Sequence, residues 1–137
     1  MVRRGEVDDA PAVLELWSLA RSEHAITADR AGDIERLISE TPSALFVAES
    51  DGGEIVGALL AGWDGWRGNI YRLAVHPAHR RDGIGRQLLA AGEEHLRGLG
   101  ARRVTALVAH DDDVAGAFWD SAGYPVDSEI GRRVRNL

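Results

Sequence analysis

Two glycines, Gly83 and Gly85, lie between a cluster of arginines and an apolar run in the stretch HRRDGIGRQLL, residues 79–89. A strand is predicted to end before this stretch and a helix to begin within it, so backbone N–H groups without a helical partner point out of the turn. Because glycine has no Cβ, an anion can approach these donors, and the helix dipole favours its negative charge. One interpretation is a phosphate or pyrophosphate site. The other is a helix start at which the glycines give clearance and the arginines give solubility.

The composition excludes several kinds of chemistry. The chain has no cysteine, which excludes disulfides, thiolate metal sites and a thiol nucleophile. All sixteen basic residues are arginine, so the lysine of the phosphate loop GxxxxGK[ST] is missing. Leu88 stands at the third glycine position of the dinucleotide fingerprint GxGxxG, and that fingerprint therefore fits poorly. The acidic triplet at residues 111–113 has no further ligands at suitable spacing, and we expect no metal site.

The length of 137 residues, with 45% of them hydrophobic, predicts a single domain over residues 1–137. No apolar run approaches the roughly 20 residues of a membrane helix, and the opening stretch MVRRGEVDDA has no apolar signal region. We therefore expect a cytoplasmic protein with no membrane partner. A net charge of −6 argues against a nucleic-acid partner and mildly favours a cationic small molecule or a basic peptide.

The hydrophobic pattern predicts a mixed α/β domain. A strand over residues 2–6 precedes a first helix, and a second helix spans residues 29–39. The runs ALFVAES and EIVGALLAG form an antiparallel hairpin, and NIYRLAVHP is a fourth strand. A third helix follows the glycine pair, RRVTALVAH is a fifth strand, and the acidic triplet caps a short fourth helix. The tail over residues 124–137 is expected to supply one or two edge strands.

The segment LAVHPAHRRDGIGRQLL resembles the acyl-CoA-binding motif [Q/R]xxGx[G/A] of the GCN5-related N-acetyltransferase (GNAT) family, with Arg80, Gly83 and Gly85 at the fixed positions. The later segment DVAGAFWDSAGY resembles the family pattern NxxAxxFYxxxGF, and the predicted order of elements matches the family across almost the whole chain. This resemblance implies an α/β (α+β) GNAT fold. Its central mixed, mostly antiparallel sheet is splayed between strands 4 and 5 and flanked by about four helices.

The resemblance also implies how acetyl-CoA, the acyl-donor cosubstrate, is bound. Backbone amides at residues 81–86 hold the pyrophosphate, and the LAV strand pairs with the amides of the pantetheine arm as an added strand would. Asp112 takes the family's asparagine position near the pantetheine, and Trp119 replaces the tyrosine with which many relatives protonate the leaving sulfur. The implied cofactor-binding residues are Leu73, Ala74, Val75, Arg80, Arg81, Asp82, Gly83, Ile84, Gly85, Arg86, Asp112 and Trp119.

Without a cysteine, the simplest mechanism is direct attack of an amine on the thioester. An alkylammonium group, with a pKa near about 10.4, must first lose a proton. Some relatives carry a glutamate for this step, but the matching positions here are Asn69 and Leu107. The catalytic candidates are Asp64 before the fourth strand, His110 after the fifth, and a water relay past Tyr71. Asp64 also fits an ordinary turn, His110 a solvated loop and Tyr71 core packing.

The sequence thus predicts an acetyl-CoA-dependent N-acetyltransferase acting on a primary amine of a small molecule or a peptide. A thiol pKa of roughly 8.5 would let water protonate the leaving thiolate. Because an indole such as that of Trp119 cannot give up a proton, the alternative is a non-catalytic acyl-CoA-binding sensor or partner module. The oligomeric state stays open between a monomer and a homodimer, which would cover the aromatic residues Trp63 and Trp66.

Overall fold

The computed structural model describes residues 1–20 and 28–137. These residues contain one five-stranded sheet with the strand order β1-β2-β3-β4-β5. The first four strands pair antiparallel, and the fifth pairs parallel with the fourth. The mixed, mostly antiparallel sheet predicted from the sequence is therefore confirmed. The strands are β1 (Val2–Arg4), β2 (Ala44–Glu49), β3 (Ile55–Trp63), β4 (Gly68–Val75) and β5 (Val104–Ala106).

Four α-helices occur in the described residues, and none of them combines the length and apolarity that crossing a membrane requires. The contacts of the backbone divide the chain into two units, residues 1–107 and 108–137. The second unit contains one of the helices, and the prediction of a single domain over the whole chain stays a prediction. The helices are α1 (Ala10–Ala20), α2 (Ala31–Glu40), α3 (Ile84–Leu99) and α4 (Asp113–Ser121).

In the first unit, α1 and α2 cover one face of the sheet. Their apolar side chains recur at helical spacing and pack with Leu45, Ala58 and Ala74 into one buried cluster. Ala10 at the start of α1 and Ile34 in α2 both belong to this cluster. The strands β2, β3 and β4 supply half of this cluster through the side chains that alternate toward this face, and the two helices supply the other half.

The opposite face of the sheet carries α3. A Cβ built on Gly57 of β3 would lie 2.9 Å from side-chain atoms of both Ile84 and Leu88. A Cβ on Gly92, midway along α3, would lie 2.8 Å from Leu59. Each of these glycines leaves room for a neighbouring side chain, so α3 lies closer to β3 than larger residues would allow.

An ion-pair network ties the first strand to the start of α1. Arg3 Nη1 lies 2.8 Å from Asp9 Oδ2, and Arg3 Nη2 lies 2.6 Å from Glu49 Oε1. The same carboxylate of Asp9 accepts a hydrogen bond from the backbone N–H of Glu6 at 2.8 Å. The hydrogen bond from Arg3 holds the pKa of Asp9 below its ordinary value. One aspartate thus caps the helical entry and anchors it to β1.

The C-terminal region differs from the sequence expectation. Residues 124–137 contain no strand, so the prediction of edge strands in the tail was wrong. Three of its exposed apolar residues, Val126, Ile130 and Val134, lie four positions apart, whereas a half-buried strand needs one at every second position. The fifth strand is also shorter than RRVTALVAH, because only Val104–Ala106 pair with β4.

Candidate active site

An extra residue in β4 forms a bulge halfway along the strand. The register with β3 shifts between Ala58 and Leu60, so Arg72 and Leu73 of β4 lie opposite the single residue Leu59. Arg72 adopts a φ of 52°, the left-handed region that few side chains other than glycine occupy readily. The bulge therefore rests on a backbone conformation with a local cost, which the surrounding sheet must offset.

The bulge changes which face of the sheet the following side chains occupy. Ile70 lies on the α3 face, since a Cβ on Gly92 would be 3.3 Å from its Cδ1. Ala74 lies on the opposite face, in the cluster with α1 and α2. Two residues four positions apart would share one face in a regular strand. The inserted residue is the reason that they do not.

The ladder between β4 and β5 ends where the bulge begins. Its three pairs run from Gly68 with Val104 to Ile70 with Ala106, although β4 continues to Val75. The backbone N–H of His76 donates to Val56 of β3 at 2.8 Å, so by strand alternation the peptide groups of Val75 point away from β3. The second half of β4 thus presents backbone donors and acceptors toward the splay between the two strands, which the sequence predicted.

The N-terminus of α3 lies beside this end of β4. Gly57, which pairs with Val75, is also the residue that Ile84 packs against. Arg81 and Gly83 both take a positive φ, of 70° and 78°, in the turn that leads into the helix. Positive φ at these two positions turns the chain sharply from the end of β4 into the start of α3.

No side chain at the N-cap position completes the start of α3. The N-cap is Gly83, whose backbone carbonyl accepts the first helical hydrogen bond from Gln87 N–H at 3.1 Å. The preceding N–H groups, those of Ile84 and Gly85 among them, have no intrahelical acceptor by geometry. A helix of 16 residues therefore directs unmatched donors and the positive end of its dipole at one point.

The turn between β4 and α3 is braced by its own side chains. The Nδ1 of His76 accepts the backbone N–H of Ala78 at 3.1 Å, and the rings of His76 and His79 meet edge to face at 5.9 Å. Arg80 Nε lies 3.4 Å from the carbonyl oxygen of Val75. Arg80 therefore holds its guanidinium group at the same strand end that the glycine turn adjoins.

Tyr71 and Arg72 lie on the α1–α2 side of the bulge. Tyr71 is 43% exposed although it lies in the middle of β4. Arg72 Nη2 lies 2.9 Å from Asp29 Oδ1, just before α2 begins. Nothing in the sequence pattern indicated this ion pair, since the two residues are far apart along the chain. It joins the start of α2 to the bulge.

Asp64 forms the turn before β4. Its Oδ1 accepts the backbone N–H of Arg67 at 2.6 Å and that of Trp66 at 2.8 Å. These two hydrogen bonds lower the pKa of Asp64 below its ordinary value, and the bond from Arg67 has the larger effect. A carboxylate whose charged form is stabilised in this way is a weaker base.

Residues 10–124 match the family model described as the acetyltransferase (GNAT) family. The chain belongs to this family. An acetyltransferase of Pectobacterium atrosepticum is 36% identical over 120 residues, which are 85% of this chain and 82% of the relative. The predicted family and the predicted enzyme class, an acetyltransferase, are thereby confirmed.

Solved structures agree with the GNAT fold. The aminoglycoside 6'-N-acetyltransferase from Acinetobacter baumannii superimposes with a TM-score of 0.80 at 16% identity, over 100% of this chain and 98% of that one. A Mycobacterium tuberculosis protein solved in complex with CoA gives 0.73 at 24% identity, over 90% and 70%. At these identities the likeness concerns the fold alone.

Three predicted site residues of this GNAT acetyltransferase lie in the second unit. Asp112 is the N-cap of α4, and its Oδ1 accepts the N–H of Ala115 at 2.9 Å. Trp119 is 9% exposed and packs edge to face against Tyr124, with ring centroids 4.9 Å apart. His110 is exposed in the turn before the helix. The capping role expected for the acidic triplet is confirmed, and the roles of these residues toward a ligand stay predictions.

The sequence predicted the glycine turn at the start of α3 but gave no signal for the contacts on the α1–α2 side of the bulge. Asp29 and Arg72 belong to no sequence motif. The sequence gives no sign that Gly62 differs from any other glycine in a strand. The matching glutamate positions, Asn69 and Leu107, lie in β4 and after β5. Among residues 1–20 and 28–137, no three histidine, aspartate or glutamate side chains are grouped to hold a metal ion.

Proposed function

We propose that this chain is an acetyl-CoA-dependent N-acetyltransferase that transfers an acetyl group directly to a primary amine of a small molecule or a peptide. One observation carries the proposal: the second half of β4, beyond its last pair with β5, ends beside the N-terminus of α3, whose N-cap has no side chain. This arrangement offers strand-like partners for an amide chain and converging N–H donors for a diphosphate. CoA has both features in one molecule, whereas a simple phosphate would use only the helix end.

The donor would lie along these two elements. Residues 81–86 (Arg81, Asp82, Gly83, Ile84, Gly85 and Arg86) would hold the diphosphate through backbone N–H groups. Arg80, held at the carbonyl of Val75, adds positive charge at that point. Along Leu73, Ala74 and Val75, the peptide groups that point away from β3 would pair with the pantetheine arm. By resemblance to the family, Asp112 and Trp119 would lie near the same arm.

The bulge supports the position of the reaction within β4. Acetyl-CoA supplies an activated acyl group as a thioester. A backbone N–H at Leu73 would donate to the carbonyl oxygen as negative charge develops on it during attack. The amine nitrogen bonds to the acetyl carbon, the carbon–sulfur bond breaks, and sulfur leaves with the electron pair.

Proton transfer would rely on water more than on any one side chain. Asp64, with its lowered pKa, is a poor acceptor for the ammonium proton, and we assign it to the turn. Tyr71 is exposed beside the bulge and would order the water that carries the proton away. His110, exposed in its turn, is the remaining candidate base. Water would protonate the departing thiolate, because Trp119 has only an N–H donor.

The test is CoA release on addition of an amine panel. Because the chain has no cysteine, a thiol reagent reports only the CoA that is set free. We expect acetyl-CoA to bind in calorimetry and at least one primary amine to accelerate thiol release. Absence of any heat at millimolar CoA would overturn the proposal.

A second candidate is a module that binds acyl-CoA without catalysis. It is favoured by one observation, the buried Trp119 at the position where many relatives have an acid. Tight binding of acetyl-CoA without turnover across the amine panel would support this candidate.

We further propose a single domain, which the family match over residues 10–124 supports because it includes parts of both units.

A further inference from the structure

The aromatic ring of Tyr71 occupies the space where Gly62 lacks a side chain. A Cβ built on Gly62 would lie 2.5 Å from Tyr71 Cε2 and 3.1 Å from Cδ2. Leu60, two residues before Gly62, is the residue paired with Tyr71 and belongs to the α1–α2 core. The ring therefore lies across β3 on the α1–α2 side, beyond the edge of that core.

This position depends on glycine. An ordinary carbon–carbon contact needs about 3.5 Å or more, so any side chain at position 62 must displace the ring by roughly 1 Å. Because Tyr71 is 43% exposed, its ring can rotate outward at little cost to folding. A larger residue at this position would consequently move the ring and leave the sheet intact.

The ring borders the bulge at which the proposed transfer takes place. One edge of the ring lies against Gly62, and the residue is 43% exposed, so a ligand can reach part of it. An aromatic face attracts cations by about 0.5–2 kcal/mol. The reacting nitrogen must be neutral when it attacks, so a cation held by the ring belongs to another group of the acceptor.

We propose that Gly62 is a positioning residue that holds the ring of Tyr71 across β3, where the ring binds a second, non-reacting cationic group of the acceptor amine. The net charge of −6 favours the approach of such a dication. The Asp29–Arg72 ion pair on the same side of the bulge partly neutralises Arg72, which follows Tyr71 in the chain. This inference rests on the proposed function. It identifies diamines as the class of acceptor that the enzyme would acetylate.

The test compares putrescine with n-butylamine, which has the same carbon chain and one amine fewer. In Gly62→Ala we expect KM for putrescine to rise about 2- to 30-fold, as loss of the cation contact implies. KM for n-butylamine and for acetyl-CoA should not change. Tyr71→Phe, which keeps the ring, should retain the preference for putrescine, and Tyr71→Leu should lose it.

Two further variants separate the ring from general effects of the substitution. Gly57→Ala introduces a similar clash on the same strand but toward α3, so it should raise KM for acetyl-CoA and spare the preference between the amines. Gly62→Ala in a Tyr71→Leu background should change nothing more, because the ring through which it acts is gone. An additive effect would overturn the inference.

A readout without turnover keeps the inference separate from the proposed function. The chain has only two tyrosines, so Tyr124→Phe assigns the ring signals of Tyr71 in NMR spectra. We expect a ring-to-Gly62 Overhauser contact and a shift of the ring signals when putrescine is added with CoA. Loss of CoA release alone would refute the proposed function. Absence of the ring shift would overturn this inference, whether or not the enzyme turns over.

Discussion

Replacement of Gly83 by alanine tests the proposed diphosphate site most directly. Gly83 has a φ of 78°, and a Cβ built there would meet no atom within 4 Å. The cost of Gly83→Ala is therefore conformational and not steric, about 1–2 kcal/mol for a side chain in the left-handed region. For a chain of this length that corresponds to a fall of about 3–7 °C in Tm.

The matched control lies in the same helix. Gly98 also has open space around its Cβ position, but it has ordinary helical backbone. Gly98→Ala should raise the free energy of unfolding by up to about 1 kcal/mol, because alanine is the better helix former. The two alanine variants should thus shift Tm in opposite directions although they change the same atoms.

Binding of CoA should separate the two variants further. If Gly83→Ala turns even one backbone N–H of the loop away from the diphosphate, the lost charge-assisted hydrogen bond is worth about 1.5–3 kcal/mol. Calorimetry should then give a Kd for CoA about 10- to 100-fold higher. Pantetheine, which lacks the diphosphate, should bind both variants equally. A Gly83→Ala protein with lowered Tm and unchanged affinity for CoA would refute the placement of the diphosphate.

Three more substitutions follow from particular contacts. Gly92→Ala should lower the free energy of unfolding by about 1–3 kcal/mol in urea titrations, because its Cβ would lie 2.8 Å from Leu59 and overpack the contact of α3 with β3. Asp9→Asn should destabilise the chain by about 1 kcal/mol at neutral pH by weakening the bond to Arg3. Since the pKa of Asp9 is lowered in the fold, this difference should hold above about pH 4 and vanish as the pH falls through the folded pKa, which unfolding at a series of pH values measures. Asp64→Asn should keep kcat/KM within about tenfold of the parent and leave its pH profile unshifted; a loss of about 10² or more would identify Asp64 as the base after all.

The elements that the sequence predicted well are those in which local pattern and tertiary contacts agree. The β2–β3 hairpin has apolar runs around a Gly-rich turn, and its register is set by the buried face. The start of α3 could be predicted because glycine at position 83 both permits a positive φ and lacks a side chain that could cap the helix. Local chemistry determines such positions almost alone.

The sequence could not predict features that depend on contacts between distant strands. Arg72 takes a left-handed φ that no arginine prefers, and only the register of β3 against β4 requires it. The salt bridge from Arg72 to Asp29 depends on that bulge. Likewise, the need for glycine at position 62 comes from the ring of Tyr71, which the register of β3 against β4 brings near it. The local pattern of one sequence contains no signal for contacts between residues that lie far apart along the chain.

The bulge explains how one short strand could serve both substrates. Without the inserted residue, β4 would keep one alternation throughout, and residues 70 and 74 would share a face. With it, Tyr71 lies across β3 on the α1–α2 side, while the peptide groups of Val75 point away from β3 toward the splay from β5. The acceptor side and the donor side of the proposed reaction thus meet within about two residues of backbone, or roughly 7 Å. In the proposed reaction, the strain at Arg72 is the local cost of placing the amine and the thioester on one strand.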